Sequence, residues 1–129
     1  MSSINCVLLN NSLTDLQNWT LIGNVTGKNS VNINFDDYKE LHIIQSVYFD
    51  YANDQYYRAY ETNIILDEHI RSIIASKKPL FMSGEGYYFS SASYGSGIVS
   101  INSNQIMNDT VIGDTRDVTS TSQMYVYAR

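Results

Sequence analysis

The chain has 129 residues, a formal charge of −5, 43% hydrophobic residues and 16% charged ones. It therefore reads as one domain able to bury a core, and a disordered tail is excluded. The eight basic residues are scattered, with Lys77 and Lys78 the only adjacent pair, so a phosphate-gripping face for DNA or RNA is not expected. The single cysteine, Cys6, cannot form an internal disulfide, and no stretch approaches the ~18 apolar residues of a membrane insertion.

Residues 1–12 read as a lead-in, with an apolar run from Ile4 to Leu9 that ends at Asn10, Asn11 and Ser12. The start lacks a basic region followed by a long apolar stretch, so a soluble chain without a signal peptide is expected. Residues 13–129 form the domain. Trp19 to Val25 is β-prone and closes at Thr26 and Gly27, after which Val31, Ile33 and Phe35 alternate with Asn32 and Asn34 as a half-buried strand. Asp36 to Lys39 makes a turn.

Leu41 to Tyr51 is the longest strand candidate, with Leu41, Ile43, Val47 and Phe49 on one face and His42, Ile44, Ser46 and Tyr48 on the other. Asp50 to Gln55 has the composition of a hairpin loop, and Tyr56 to Leu66 pairs back. The helical signal lies in Asp67 to Ser76: Ile70, Ile73 and Ile74 share a face, Asp67 is an N-cap, and Lys77, Lys78 and Pro79 stop the helix. Short β-runs return at Leu80–Ser83, Gly86–Tyr94, Ile98–Ile101, Thr110–Ile112 and Gln123–Ala128, with Asn102–Asn108 and Gly113–Ser122 as polar connections. About seven or eight short strands with one short helix indicate an all-β, antiparallel β-sandwich.

Catalytic and metal signals are weak. His42, His69 and Cys6 stand at no metal-ligand spacing. No serine sits in a nucleophile elbow, and Gly95, Ser96 and Gly97 run into a β-pattern rather than a helix. Asp36, Asp37, Asp114 and Asp117 fall in turns, where Asp bonds nearby amides. Glu61, inside a strand, is expected to pair with Arg58 or another base. The loop from Asp50 to Asp54 lacks the alternating ligands and glycine of an EF-hand. Sequons begin at Asn10, Asn18, Asn24 and Asn108, and without export they reflect composition. No cofactor and no enzyme activity are expected.

The distinctive feature is eleven tyrosines. Tyr48, Tyr51, Tyr56, Tyr57 and Tyr60 crowd one hairpin, Tyr87, Tyr88 and Tyr94 another run, and Tyr125 and Tyr127 alternate near the end. A tyrosine offers a flat apolar ring and a hydroxyl with little conformational entropy to lose, which suits recognition of sugars or proteins as well as plain packing.

Three segments together resemble a domain at the C-terminal tip of bacteriophage tail-fibre and related virion proteins. They are Trp19 to Gly27 followed by the alternating Val31 to Phe35, then Tyr38 to Ile43, and finally Asp117 to Ser120 with Met124 to Arg129. The resemblance implies a β-structured, homotrimeric virion appendage, synthesised in the host cytoplasm, that contacts other virion proteins and a bacterial surface polysaccharide or protein. For a sugar ligand the expected site is the hairpin loop, with Tyr51, Tyr56 and Tyr57 stacking and Asn53 and Asp54 selecting hydroxyls. A purely structural virion or assembly protein, a monomeric lectin-like module and, last, a hydrolase are the alternatives.

Overall fold

The computed structural model describes residues 18–51, 54–86, 93–109, 111–114 and 119–129. The lead-in over residues 1–12, Tyr87, Tyr88 and Asp117 lie outside them. In chain order the strands are β1 (Thr20–Thr26), β2 (Ser30–Asn32), β3 (Glu40–Tyr51), β4 (Asp54–Ile65), β5 (Leu80–Ser83), β6 (Glu85–Gly86), β7 (Ser93–Ser96), β8 (Ile98–Asn102), β9 (Gln105–Asn108), β10 (Val111–Asp114) and β11 (Thr119–Ala128). One helix, α1 (Glu68–Ala75), joins β4 to β5. The strand orders are β1-β11-β3-β4-β6 in a large sheet and β2-β9-β8-β5 in a small one, with β10 and β7 as a separate ribbon. The large and small sheets pack together, and with the short helix they make the expected antiparallel β-sandwich.

The described residues hold eleven strands rather than seven or eight. Part of the excess is β9, which falls where polar composition predicts a connection. Its residues alternate, with Ile106 and Asn108 buried and Gln105 and Met107 half-buried, so period rather than polarity decides. The reverse holds after β2. Val31, Ile33 and Phe35 are all buried, but the ladder stops at Asn32 and Phe35–Asp37 forms a 3-10 turn, capped by the Asn34 side chain accepting from the Asp36 amide at 3.2 Å. The long hairpin is also tighter than its composition suggests. Its ladder runs from Glu40 opposite Ile65 to Tyr51 opposite Asp54, so Asp50, Tyr51, Asp54 and Gln55 are strand rather than loop.

The core lies between the inner faces. Leu41, Ile43, Ile64, Met124, Val126 and Ala128 of the large sheet meet Val31, Val99, Ile101 and Ile106 of the small one. Each such large aliphatic side chain contributes about 1.5–3 kcal/mol by leaving water. Helix α1 closes one end, setting Ile70 and Ile74 against this core. Asp67 caps its start by accepting from the Ile70 amide at 2.8 Å. Arg71 fixes its position: the guanidinium donates to the carbonyls of Leu66 at 2.9 Å, Phe35 at 3.1 Å and Tyr38 at 2.6 Å.

A second apolar cluster, Val47 with Tyr60 and Tyr56, lies further along the hairpin. Here the backbone approaches closely, because a Cβ on Gly97 would sit 2.3 Å from the Tyr60 Cβ. A polar belt crosses the interior beside it. Gln45 takes an inward position on β3 and donates from Nε2 to the Ile98 carbonyl at 2.9 Å and to Asn108 Oδ1 at 2.8 Å. Asn108 in turn donates from Nδ2 to the Gly27 carbonyl at 2.9 Å and to Ser122 Oγ at 3.1 Å. Gln45 is 0% exposed and Asn108 1%, so the sequon at Asn108 is not available in the folded chain.

Two stability outcomes follow from these contacts. Gln45→Leu leaves the Ile98 carbonyl and the Asn108 carboxamide oxygen without that donor in a buried interior, and urea unfolding should show a loss of about 3 kcal/mol. Lys77 follows α1 with φ 63°, a left-handed conformation that favours glycine. Lys77→Gly should therefore raise stability by roughly 1 kcal/mol, read as a Tm increase of about 3–4 °C.

Candidate functional site

Period two settles both faces of the large sheet at once. Burying Leu41, Ile43, Gln45 and Val47 turns His42, Ile44, Ser46 and Tyr48 outward. The antiparallel register then aligns the outward side chains in rows across β11, β3 and β4: Tyr127 with His42 and Asn63, Tyr125 with Ile44 and Glu61, Gln123 with Ser46 and Ala59, and finally Tyr48 with Tyr57. Ser46 and Ala59 are small and adjacent, so the third row sinks between taller neighbours. The result is a shallow cleft of about 110 Å³ lined by Ser46, Tyr48, Tyr57 and Gln123.

The cleft has an aromatic wall. The Tyr48 and Tyr57 rings lie 5.0 Å apart, tilted by 49°, and Tyr57 remains 66% exposed. Its floor offers the Ser46 hydroxyl and the Gln123 carboxamide, and the Tyr125 hydroxyl donates to Gln123 Oε1 at 3.4 Å. Among the described residues, none of those lining it is charged.

A second aromatic group stands at the other end of the same face. The His42 ring lies between Trp19, at 5.9 Å, and Tyr127, at 6.4 Å. Its Nε2 lies 2.9 Å from Glu61 Oε1 and its Nδ1 2.5 Å from Asn63 Oδ1, and the side chain is only 12% exposed. Both ring nitrogens are thereby engaged. Glu61 thus pairs with His42 and not with Arg58, which stands an odd number of residues away and is buried on the inner face. The Arg129 guanidinium covers the Trp19 ring at 4.4 Å and bonds Glu40 Oε1. Burial, followed by the neighbouring Tyr125, raises the Tyr127 hydroxyl above its ordinary 10.0, so at neutral pH it is a neutral donor.

The residues expected to bind are distributed differently. Tyr57 stands on the cleft wall, whereas Tyr56, its neighbour in sequence, turns inward against Val47 and Tyr60. Adjacent strand residues face opposite ways, so these two tyrosines do not join in one site. Tyr51 and Asp54 close the β3–β4 ladder, and Asn53 lies outside the described residues. Ser46, Tyr48, Gln123, Trp19 and Tyr127 were not among the binding residues expected from sequence. The available signal was the outward row itself, with small residues facing each other between aromatic ones.

A larger cavity of about 240 Å³ lies beside α1, lined by residues including Phe35, Arg71, Ile74 and Lys77. Arg71 there is occupied by three backbone carbonyls, which makes it a strut between α1 and the 3-10 turn. Among the described residues no group of three His, Cys, Asp or Glu could hold a metal ion, and no helix is long and apolar enough to cross a membrane. The class defined by fold and site is an antiparallel β-sandwich with an open aromatic and polar sheet face. No protein-family model matches the chain, and neither does any curated protein or solved structure.

The raised Tyr127 sets a pH dependence. The folded chain holds this proton more tightly than the unfolded one, so its stabilising effect is complete below pH 10.0 and is lost as pH climbs through the folded value. Urea midpoints taken at about pH 8 and about pH 11 should fall more for the wild type than for Tyr127→Phe.

Proposed function

We propose that this chain is a non-enzymatic glycan-binding β-sandwich, used as a virion appendage that attaches to a bacterial surface polysaccharide. The observation that carries the reading is the cleft, whose described lining is uncharged, with Tyr48 and Tyr57 forming a wall above Ser46 and Gln123. A pyranose presents an apolar C–H face and an array of hydroxyls, and an aromatic ring beside hydroxyl and carboxamide groups matches both. A protein ligand would be expected to need a broader surface with deeper apolar anchors.

The non-enzymatic reading is supported by the contacts that already occupy three described groups on this face that could transfer protons. A general acid or base must present a free atom to the substrate. His42 has both nitrogens engaged, Glu61 is held by His42, and Glu40 by Arg129. The virion setting and the homotrimer rest on the sequence resemblance, and three copies of a shallow site would bind a repeating polymer with avidity. A second reading, a structural protein that contacts neighbouring subunits, is favoured by exposed apolar residues away from the cleft, Ile65 at 70% and Phe81 at 59%.

An array of bacterial surface polysaccharides should capture the wild type. Tyr57→Ala removes the exposed ring and should weaken capture about tenfold, the size of one stacking contact. Ala59→Leu fills the sunken row from the solvent side and should abolish capture while moving the urea midpoint little. Light scattering should give three times the 14.6 kDa monomer mass. Wild-type chain that captures nothing on the array sinks the glycan reading, and a monomer sinks the trimer.

A further inference from the structure

The cleft alone is a poor explanation of affinity. Its volume of about 110 Å³ is well below the ~300 Å³ at which a pocket begins to enclose a drug-sized ligand. One ring can rest in it, but most of that ring stays in water. Whatever binds there gains affinity by continuing along the face.

The face permits this in one direction. From Tyr48 to His42 the β3 strand advances six residues, about 20 Å at ~3.3 Å per residue, which is the reach of several linked pyranose rings. That path starts at the Tyr48 and Tyr57 wall, passes the Gln123 carboxamide and the Tyr125 hydroxyl, and ends at Trp19, His42 and Tyr127. An exposed aromatic wall stands at one end and a second, half-buried aromatic group at the other, with hydrogen-bonding groups between them.

Charge narrows the ligand further. The described titratable groups along the path are already engaged: Glu61 contacts His42, and Glu40 contacts Arg129, whose guanidinium covers Trp19. Among the described side chains, then, each of these four charged or titratable groups is already engaged and none is left over to select a uronate, a phosphate or an amino sugar. A charged polymer would have to break one of these pairs in exchange for its own contact.

Resting on the glycan-binding reading above, we propose that the ligand is a linear, uncharged polysaccharide that lies along β3 across both aromatic groups, gripped along its length and not by a terminal sugar. The cleft is one subsite, and the Trp19, His42 and Tyr127 group is the other.

The test uses the full chain. In affinity gel electrophoresis, neutral linear polymers (mannan, dextran, amylose, xylan) are set beside the acidic hyaluronan and alginate. Retardation by at least one neutral polymer, unchanged by added salt, is expected. Calorimetry with a size-graded series of oligosaccharides from that polymer should then show affinity rising about tenfold once the fragment is long enough to reach the second aromatic platform. Trp19→Ala should remove that gain for long fragments and leave short ones unchanged, while Tyr57→Ala weakens both. The length series on wild type stands even if Trp19→Ala fails to fold. Affinity that plateaus at a mono- or disaccharide, or retardation by the acidic polymers alone, overturns the extended neutral ligand and leaves glycan binding intact. No retardation by any polymer, together with a silent array, removes the glycan reading itself.

Discussion

The fold depends on the buried hydrogen-bonded chain from Gln45 through Asn108 to Gly27 and Ser122. Apolar contacts between two sheets are nearly indifferent to a sliding shift, because one aliphatic side chain serves about as well as the next. A carboxamide that must meet a particular carbonyl and a particular Asn is not. Gln45 lies in the middle of β3 and reaches the start of β8 and the end of β9, so it fixes the large sheet against the small one in both directions. A misaligned register would leave these groups buried without partners, at about 1–3 kcal/mol each. The belt therefore contributes specificity where the surrounding core contributes most of the stability.

That constraint reaches the opposite face. Once Gln45 must point inward, period two requires Ser46 to point outward. The β3–β4 register then sets Ala59 beside Ser46, and the β3–β11 register sets Gln123 on its other side. The cleft is thus a consequence of the same alignment that the interior network enforces. Its position, one row from the Tyr48 and Tyr57 pair, needs no loop to define it. A site built on two long paired strands is held more rigidly than one on a hairpin tip, which suits a surface that binds without rearrangement.

Much of this was legible in the sequence, and the exceptions are instructive. Alternation in Leu41 to Tyr51 gave both faces of β3, and Asp67, Ile70 and Ile74 gave the helix, because in those segments the period and the composition agree. Where they disagree, period wins: Gln45 is buried amid aliphatics, and Asn108 is buried at the end of a segment polar enough to read as a connection. Polar residues that satisfy one another inside are invisible until the partner strand is known, since the Gln45 and Asn108 contact spans 63 residues. Of the residues expected at the hairpin loop, Tyr56 and Tyr57 part for a related reason. Tyr56 and Tyr57 are neighbours along the chain, but in a strand that places them on opposite sides of the sheet.

Tyrosine parity, rather than tyrosine count, decides which rings face outward. Tyr56 and Tyr60 occupy inward positions, and Tyr60 is 4% exposed beneath Gly97, where it fills the second apolar cluster. Tyr48, Tyr57, Tyr125 and Tyr127 occupy outward positions on three adjacent strands. Outward aromatics in a sheet cost solubility and invite edge or face association, and singly they need no explanation. Four in three of four successive rows, the gap falling where Ser46 and Ala59 lower the surface, form an ordered pattern with a period set by the strand. A ligand that repeats along its own axis would match a surface that repeats along a strand, and that correspondence, more than any single residue, is what the polymer-binding proposal rests on.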